Sequence, residues 1–288
     1  MVKTNVLVTG AKGQLAQTIR ELYFKNQDNI QFTFVDKTIL DITNANAVDF
    51  LLKTHTFNYC INCAAYTNVE QAEESVDLAF KINAEGARNL ASACKENNVV
   101  LIHISTDYVF DGNKGAPYKE TDVTNPLNEY GKSKLLGEQY ISQILDSHFI
   151  IRTSWLYSEY GKNFLKTIVN KIKENTSLKI TTAELGTPTS CVDLAGFIYY
   201  LIISKNQNFG IYHFSNEGEA TWFDFGKEIA KYFKGYNIFN ISPVNTFKTK
   251  ARRPKYSILS KDKVKKIKSE DIKDWRESLK YVINEFKR

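Results

Sequence analysis

Between Asn5 and Thr106 the chain alternates short β-branched runs with amphipathic stretches, and this alternation restricts the possible folds more than any other feature. NVLVTG (5–10), QFTFVD (31–36), YCINCAA (59–65) and VVLIHIST (99–106) read as strands. QLAQTIRELYFK (14–25), Ala45 to Lys53 with Thr43 or Asn44 as cap, and residues 75–98 as one helix or two read as the intervening helices. Such an order places the strands parallel, and their near-continuous apolar runs mean that both sheet faces are covered. The predicted fold class is therefore α/β, a Rossmann-type doubly wound parallel sheet, with HFIIRTSWLY (148–157) as a further strand.

Past about residue 155 the alternation weakens. A helix over Asn163–Asn175, a strand over Leu178–Thr181, the helix LAGFIYYLIIS, a strand over Gly210–Ser215 and a helix over Trp222–Phe233 follow. WRESLKYVINEF sets Trp275, Leu279, Val282, Ile283 and Phe286 at helical spacing, a packed terminal helix. Residues 1–152 are expected to form the dinucleotide-binding domain, with 186–204 returning to it. Residues 153–288 are expected to form mainly a smaller, mixed α/β substrate-binding domain.

No apolar run approaches the ~20 residues that span a bilayer, and MVKTNVLVTG breaks too early for a signal peptide, so a cytoplasmic protein without membrane contact is expected. Cys60, Cys63, Cys94 and Cys191 are scattered in apolar surroundings, as buried thiols are. Cys60 and Cys63 would point to opposite faces of a strand and have no second ligand pair, so no metal is expected. The net charge of +6 divides into +9 from Lys248 to Arg288 and −3 elsewhere. A basic tail suits an anionic small molecule or a wet helix face; no motif for nucleic acid accompanies it.

Gly10-Ala-Lys-Gly13-Gln-Leu-Ala16 lies between the first strand and the first helix. It resembles the G-x-G-x-x-G/A turn of dinucleotide-binding folds with its first gap one residue longer, and a helix N-terminus there can hold a diphosphate. Gly10, Lys12, Gly13, Gln14 and Leu15 are thus candidate cofactor contacts. Asp36 ends the second strand where an acid would meet an adenosine ribose, and Lys37 beside it could meet a 2′-phosphate, which leaves NADPH and NADH both open. Asp41 and Ile42 could lie along the adenine edge, or Asp41 could cap the next helix.

Tyr130 and Lys134 stand one helical turn apart after Pro126, on a helix with Leu135, Leu136 and Tyr140 as its apolar stripe. An ammonium near a phenol favours the phenolate and tunes it for proton exchange with an alcohol or ketone oxygen. Ser105 and Thr106 end the fourth strand, at the sheet edge where open α/β folds bind ligands.

Tyr-x-x-x-Lys, a Ser/Thr at the end of strand four and the Gly-rich turn together resemble the extended short-chain dehydrogenase/reductase superfamily. NCAAYTNVEQAE (62–73), STDYVFDG (105–112), NPLNEYGKSKLLGE (125–138), RTSWLY (152–157), GTPTS (186–190) and RRPKYSIL (252–259) narrow it to the dTDP-4-dehydrorhamnose reductase family. The resemblance implies NAD(P)H-dependent reduction of the C4 ketone of a dTDP-4-keto-6-deoxy-L-sugar to dTDP-L-rhamnose. It implies Tyr130 as proton donor, Lys134 tuning it and holding the nicotinamide ribose, and Thr106 on the C4 oxygen. Asn62, Ala64, Ala65, Tyr66 and Ser105 would run beside the cofactor. Thr67, Val69, Tyr108 and Trp155 would line the sugar site, with Asp107 buttressing the loop and Asn163 and Arg253 toward the nucleotide. Tyr108 and Trp155 could instead be packed core rings, and Asn163 a helix cap. The acidic residues with which some relatives hold magnesium have no match, and a monomer or homodimer is expected. Ala183-Glu184 departs from the Asp-Gln of many members and leaves another nucleotide-linked 4-keto-6-deoxysugar open. A non-catalytic regulatory subunit of a methionine adenosyltransferase is the reading from another class, and the complete Thr-Tyr-Lys set argues against it.

Overall fold

The computed structural model describes residues 3–24, 29–233, 235–246, 248–268 and 271–286. The side chain of Phe286, expected on the terminal helix, and Lys25 of the first expected helix lie outside the described residues.

Six parallel strands form the central sheet: β1 (Thr4–Thr9), β2 (Ile30–Val35), β3 (Tyr59–Asn62), β4 (Val100–Thr106), β5 (His148–Thr153) and β6 (Gly210–His213), in the order β6-β5-β4-β3-β1-β2. Alternation along each strand divides the apolar side chains between two faces. Val6, Val8, Ile61, Ile102, Phe149 and Ile151 meet α1 (Gln14–Tyr23) and the later helix Cys191–Ile203 on one face. Leu7, Cys60, Leu101 and Ile150 meet α2 (Ala45–Thr54), α3 (Gly86–Glu96) and α4 (Glu129–Ile144) on the other. Asn44 is the cap of α2. The chain turns back on itself between β1 and β3, and the crevice at such a switch point is the ligand site of open α/β sheets.

β1 ends one residue and β6 two residues short of the expected strand, and three further strands stop early for a visible local reason. β2 ends at Val35 because the Asp36 carboxylate accepts from the Thr38 N–H at 2.8 Å. β3 ends at Asn62 because its side chain accepts from the Ala64 N–H at 3.1 Å. β5 ends at Thr153 because Trp155 adopts φ +46°, after which Leu156–Tyr157 pairs with Thr189–Ser190 outside the main sheet. The strand Gly210–His213, which the sequence suggested for the smaller domain, is part of the main sheet: it pairs parallel with Phe149–Arg152.

A second core gathers Leu165, Ile168, Val169, Phe225, Ile229, Trp275, Leu279, Val282 and Ile283. With Cys191–Ile203 as α6, this core joins α5 (Phe164–Lys173) and α7 (Trp222–Lys231) to α8 (Trp275–Phe286), with the short parallel pair Leu178–Thr181 and Ile241–Val244 at its edge. Among the described residues no helix is long and apolar enough to cross a membrane.

Candidate active site

A cleft of about 570 Å³ opens between the carboxyl ends of β1, β3, β4 and β5 and the second core. Of the residues singled out in the sequence, Lys12, Gly13, Gln14, Leu15, Ala65, Thr67, Val69, Ser105, Thr106, Asp107, Tyr108, Tyr130, Lys134, Trp155, Asn163 and Arg253 line it. Gly10, Asp36, Lys37, Asp41, Ile42, Asn62, Ala64 and Tyr66 are set back from this wall.

The Gly-rich turn is built for close approach. Gly10 has φ +66°, and a Cβ there would lie 2.7 Å from the Ala64 backbone nitrogen. Gly13 caps α1 without a side-chain hydrogen bond, and the first turn carries no acid, so an anion meets no competing carboxylate there. Lys12 ion-pairs with Asp36 at 2.6 Å, and this pair with the Thr38 contacts holds the Asp36 carboxyl well below its ordinary range. The Lys37 ammonium lies 3.9 Å from Asp41, whose carboxylate accepts from the Thr43 N–H rather than capping α2. Ile42 is buried in the core against the space that Gly86 leaves open. Tyr66 is positioned through its backbone, which exchanges hydrogen bonds of 2.8 and 3.0 Å with the Asn83 amide.

α4 begins at Asn128, whose side chain accepts from the Gly131 N–H at 2.8 Å and donates to the Arg252 carbonyl at 2.7 Å. Gly131 lets the helix lie against the 107–109 turn: a Cβ there would fall 2.3 Å from the Tyr108 carbonyl oxygen. The expected stripe of Leu135, Leu136 and Tyr140 is only half-buried. The buried face is instead Gly131, Ser133, Lys134, Gly137, Glu138 and Ile141, because this helix packs its chemistry, not its leucines, against the sheet.

Tyr130 and Tyr108 meet edge to face, centroids 5.7 Å apart. Burial pushes the Tyr130 phenol up to about 12, a hydrogen bond from Thr106 pulls the other way, and the Asp107 charge raises it. The net shift of the phenol is upward and is set by burial. Lys134 is 2% exposed, and its Nζ donates to the Ile104 carbonyl at 2.7 Å and lies 3.0 Å from His103 Nε2. Burial pushes this lysine down to about 8.

Ser105 lines the cleft, but its hydroxyl donates to Glu138 at 2.5 Å. Glu138 is held in turn by Arg152, 2.7 Å away, with both side chains 3% exposed. Thr106 donates to Asp107 at 3.1 Å and accepts from the Tyr108 N–H at 3.2 Å. Burial pushes the Asp107 carboxyl up to about 6.

Asn163 is the cap of α5, accepting from the Lys166 N–H at 3.0 Å, and its amide donates to Gln14 at 3.0 Å and to the Ser158 and Tyr160 carbonyls. Its donors are thus used within the protein, joining the Gly-rich turn to the second core. Arg253 donates to Glu70 at 2.9 Å, while its buried Nε has no partner. Trp155 is no core ring: it stacks on Trp222 at the cleft wall, centroids 3.7 Å apart. Trp222 was not marked in the sequence, where it reads as the first residue of an ordinary helix, and neither was His103, hidden within an apolar strand. Among the described residues no group of three or more His, Cys, Asp or Glu side chains could hold a metal ion.

Comparisons with known proteins fit this site. A family model described as RmlD substrate binding domain matches residues 4–288. A dTDP-4-dehydrorhamnose reductase of Aggregatibacter actinomycetemcomitans is 36% identical over 96% of this chain and 97% of its own. A dTDP-4-keto-6-deoxy-D-glucose reductase of Streptomyces niveus is 34% identical over 95% of this chain and 94% of its own. The crystal structure of dTDP-4-dehydrorhamnose reductase from Bacillus anthracis, in complex with NADP, superposes with a TM-score of 0.94 at 39% identity, covering 99% of this chain and all of that one. The chain belongs to the RmlD substrate binding domain family, with the dTDP-4-dehydrorhamnose reductases its sequence resembles.

Proposed function

We propose that the chain is an NAD(P)H-dependent reductase of the C4 ketone of dTDP-4-dehydro-β-L-rhamnose, forming dTDP-L-rhamnose. The observation that carries this is the trio Thr106, Tyr130 and Lys134, which lines the same cleft as Gly13, Gln14 and Leu15 of the glycine turn that opens α1. The turn fits a dinucleotide, since Gly13 leaves the N-terminus of α1 without a side-chain cap and its first turn carries no acid.

When bound, the reduced nicotinamide supplies the hydride. The protein's part is to orient and to move a proton. Tyr130, a neutral phenol with its pKa raised by burial, is a proton donor to the oxygen of the reduced carbonyl. Thr106 would offer its hydroxyl to the same oxygen, and Lys134 would meet the nicotinamide ribose. Trp155 and Trp222 form the face on which the sugar rests, and Arg253, with its unpartnered Nε, offers a donor to the substrate diphosphate. Gly13, Gln14 and Leu15 would hold the cofactor diphosphate at the start of α1. Lys12, bridging to Asp36, stands where a 2′-phosphate or a ribose would be met, which supports use of either NADPH or NADH. A cytoplasmic monomer or homodimer is the accompanying reading.

The test is a coupled assay in which dTDP-glucose, its 4,6-dehydratase and the 3,5-epimerase generate the keto-sugar and nicotinamide absorbance is followed. Oxidation that requires the epimerase is expected. Oxidation without the epimerase would favour the second reading, a reductase of the unepimerised 4-keto-6-deoxysugar, for which the similarity to the Streptomyces niveus enzyme and Glu184 speak. No oxidation with either sugar would contradict both.

A further inference from the structure

One face of α4 grips three consecutive residues of β4. Lys134 and Glu138 stand one turn apart on the buried face of the helix. Lys134 Nζ lies 3.0 Å from His103 Nε2 and donates to the Ile104 carbonyl at 2.7 Å. Glu138 takes the Ser105 hydroxyl at 2.5 Å. The next residue of the strand is Thr106, and one turn back from Lys134 on the helix is Tyr130. The Ser105–Glu138 bond is thus the last of these ties before Thr106. Glu138 is held in turn. Arg152 Nε donates to its Oε1 at 3.0 Å and to its Oε2 at 3.1 Å, and Nη2 donates to Oε2 at 2.7 Å. Arg152 also places Nη1 3.4 Å from His213 Nε2 and its guanidinium 5.1 Å from the centre of the Phe110 ring. A carboxylate only accepts, so Ser105 has to donate to it. Ser105 then has no hydrogen left for a ligand oxygen, which leaves that task to Thr106. Both side chains of the Glu138–Arg152 pair are 3% exposed, and desolvating two charges is costly; apolar side chains of like volume would fill the space as well. Packing alone does not account for the pair.

We propose that Glu138 is a positioning residue for the reduction: by clamping Ser105 it fixes Thr106 relative to Tyr130, and its charge supports the Lys134 ammonium one turn away. The proposal rests on the reductase reading. The other groups around Lys134 supply no such charge. His103 of β4 is kept neutral by burial, Cys63 beyond β3 is a thiol whose pKa burial raises, and Tyr130 is a neutral phenol. Arg152 of β5 faces Glu138 with a charge of the same sign as the ammonium. Burial pushes Lys134 down, and the Glu138 carboxylate is what opposes it.

The experiment compares the full-length wild type with two variants. Ser105→Ala cuts the clamp and leaves the ion pair whole; Glu138→Gln keeps the shape and removes the charge. On each, keto-sugar turnover is measured at saturating NADPH, and NADPH affinity by fluorescence titration. ¹³Cε-lysine resonances of the cofactor-free protein against pH give the Lys134 midpoint, identified by loss of its signal in Lys134→Arg. Ser105→Ala is expected to lose kcat about five- to tenfold, with NADPH affinity within about twofold of the wild type. Glu138→Gln is expected to lose kcat by at least about tenfold. It should also lower the Lys134 midpoint, about 8 in the wild type, by about one pH unit, a tenfold change in proton affinity. Wild-type kcat in Ser105→Ala, or an unmoved Lys134 midpoint in Glu138→Gln, would each overturn the proposal. So would a loss of NADPH affinity with kcat retained, which would make the network a support of the cofactor site alone. Ser105→Ala leaves no charge unpaired, so its kcat decides the clamp even where Glu138→Gln folds poorly. A wild type that leaves the keto-sugar unreduced is a failure of the reductase reading; variants that match an active wild type are a failure of this one.

Discussion

The indole rings of Trp155 and Trp222 lie face to face, 3.7 Å between centroids and 8° from parallel, and join the end of β5 to the first residue of α7. Trp155 holds a left-handed backbone at φ +46°, which costs a non-glycine residue roughly 1–2 kcal/mol. The stack helps to hold it there, and Gly186 admits the ring, since a Cβ at 186 would fall 2.7 Å from it. Trp222→Ala should lower stability by about 1–3 kcal/mol and raise KM for the nucleotide sugar roughly tenfold, with less change in kcat, while Trp222→Phe keeps most of both. Denaturant titration and steady-state kinetics check this. An unchanged KM in Trp222→Ala would remove the stack from the substrate site.

Gly10 is confined by conformation and space together. Gly10→Ala puts a Cβ at positive φ and 2.7 Å from the Ala64 nitrogen, so the turn must move away from β3. A stability loss of at least ~2 kcal/mol and a marked loss of NADPH affinity are expected, read by chemical denaturation and by fluorescence titration. An alanine variant that binds NADPH as the wild type does would show that the turn does not hold the diphosphate.

Asp107 gives a pH dependence with a definite sign. Its folded pKa, about 6, lies above the ordinary carboxyl value because burial disfavours the charge, and its Oδ2 has no partner. A raised pKa means that its favourable contribution is full below the unfolded pKa, near 4, and is lost as pH rises through about 6. Asp107→Asn should therefore be more stable than the wild type at pH 7.5, by on the order of 1–3 kcal/mol, with the difference shrinking toward pH 4. Paired urea titrations at the two pH values measure it. A difference that grows toward acid would contradict the sign.

Thr106 both caps the 107–109 turn and faces the cleft. Thr106→Val removes the hydroxyl and should cut kcat by about tenfold or more, at a stability cost of ~0.5–2 kcal/mol for the lost cap. Thr106→Ser should restore most of both. A valine variant with wild-type kcat would leave Thr106 a purely structural cap.

The sheet was legible in the sequence because parallel strands buried on both faces leave long apolar runs that local chemistry does not obscure. Their ends were not, because side chains decide them: Asp36 and Asn62 turn the backbone by accepting from N–H groups two residues on. The sequence alone assigns Gly210–Ser215 to the smaller domain because pairing with β5 is a contact between distant segments that periodicity does not encode. Tyr130 and Lys134 stood out because their spacing alone puts them on one helix face. The neighbours that tune them did not: His103 looks like one polar interruption in an apolar strand, and Glu138 like a surface acid until Arg152 is found beside it. The burial that raises the phenol and the contact that holds Lys134 are likewise properties of the packed site.

The measurement that bears most directly on the central claim is turnover by Tyr130→Phe at saturating NADPH and keto-sugar, with NADPH affinity determined on the same sample. Loss of kcat by roughly 10²-fold or more, with NADPH binding retained, is the predicted result. Turnover near that of the wild type would show that the proton comes from elsewhere and that the site works by another arrangement.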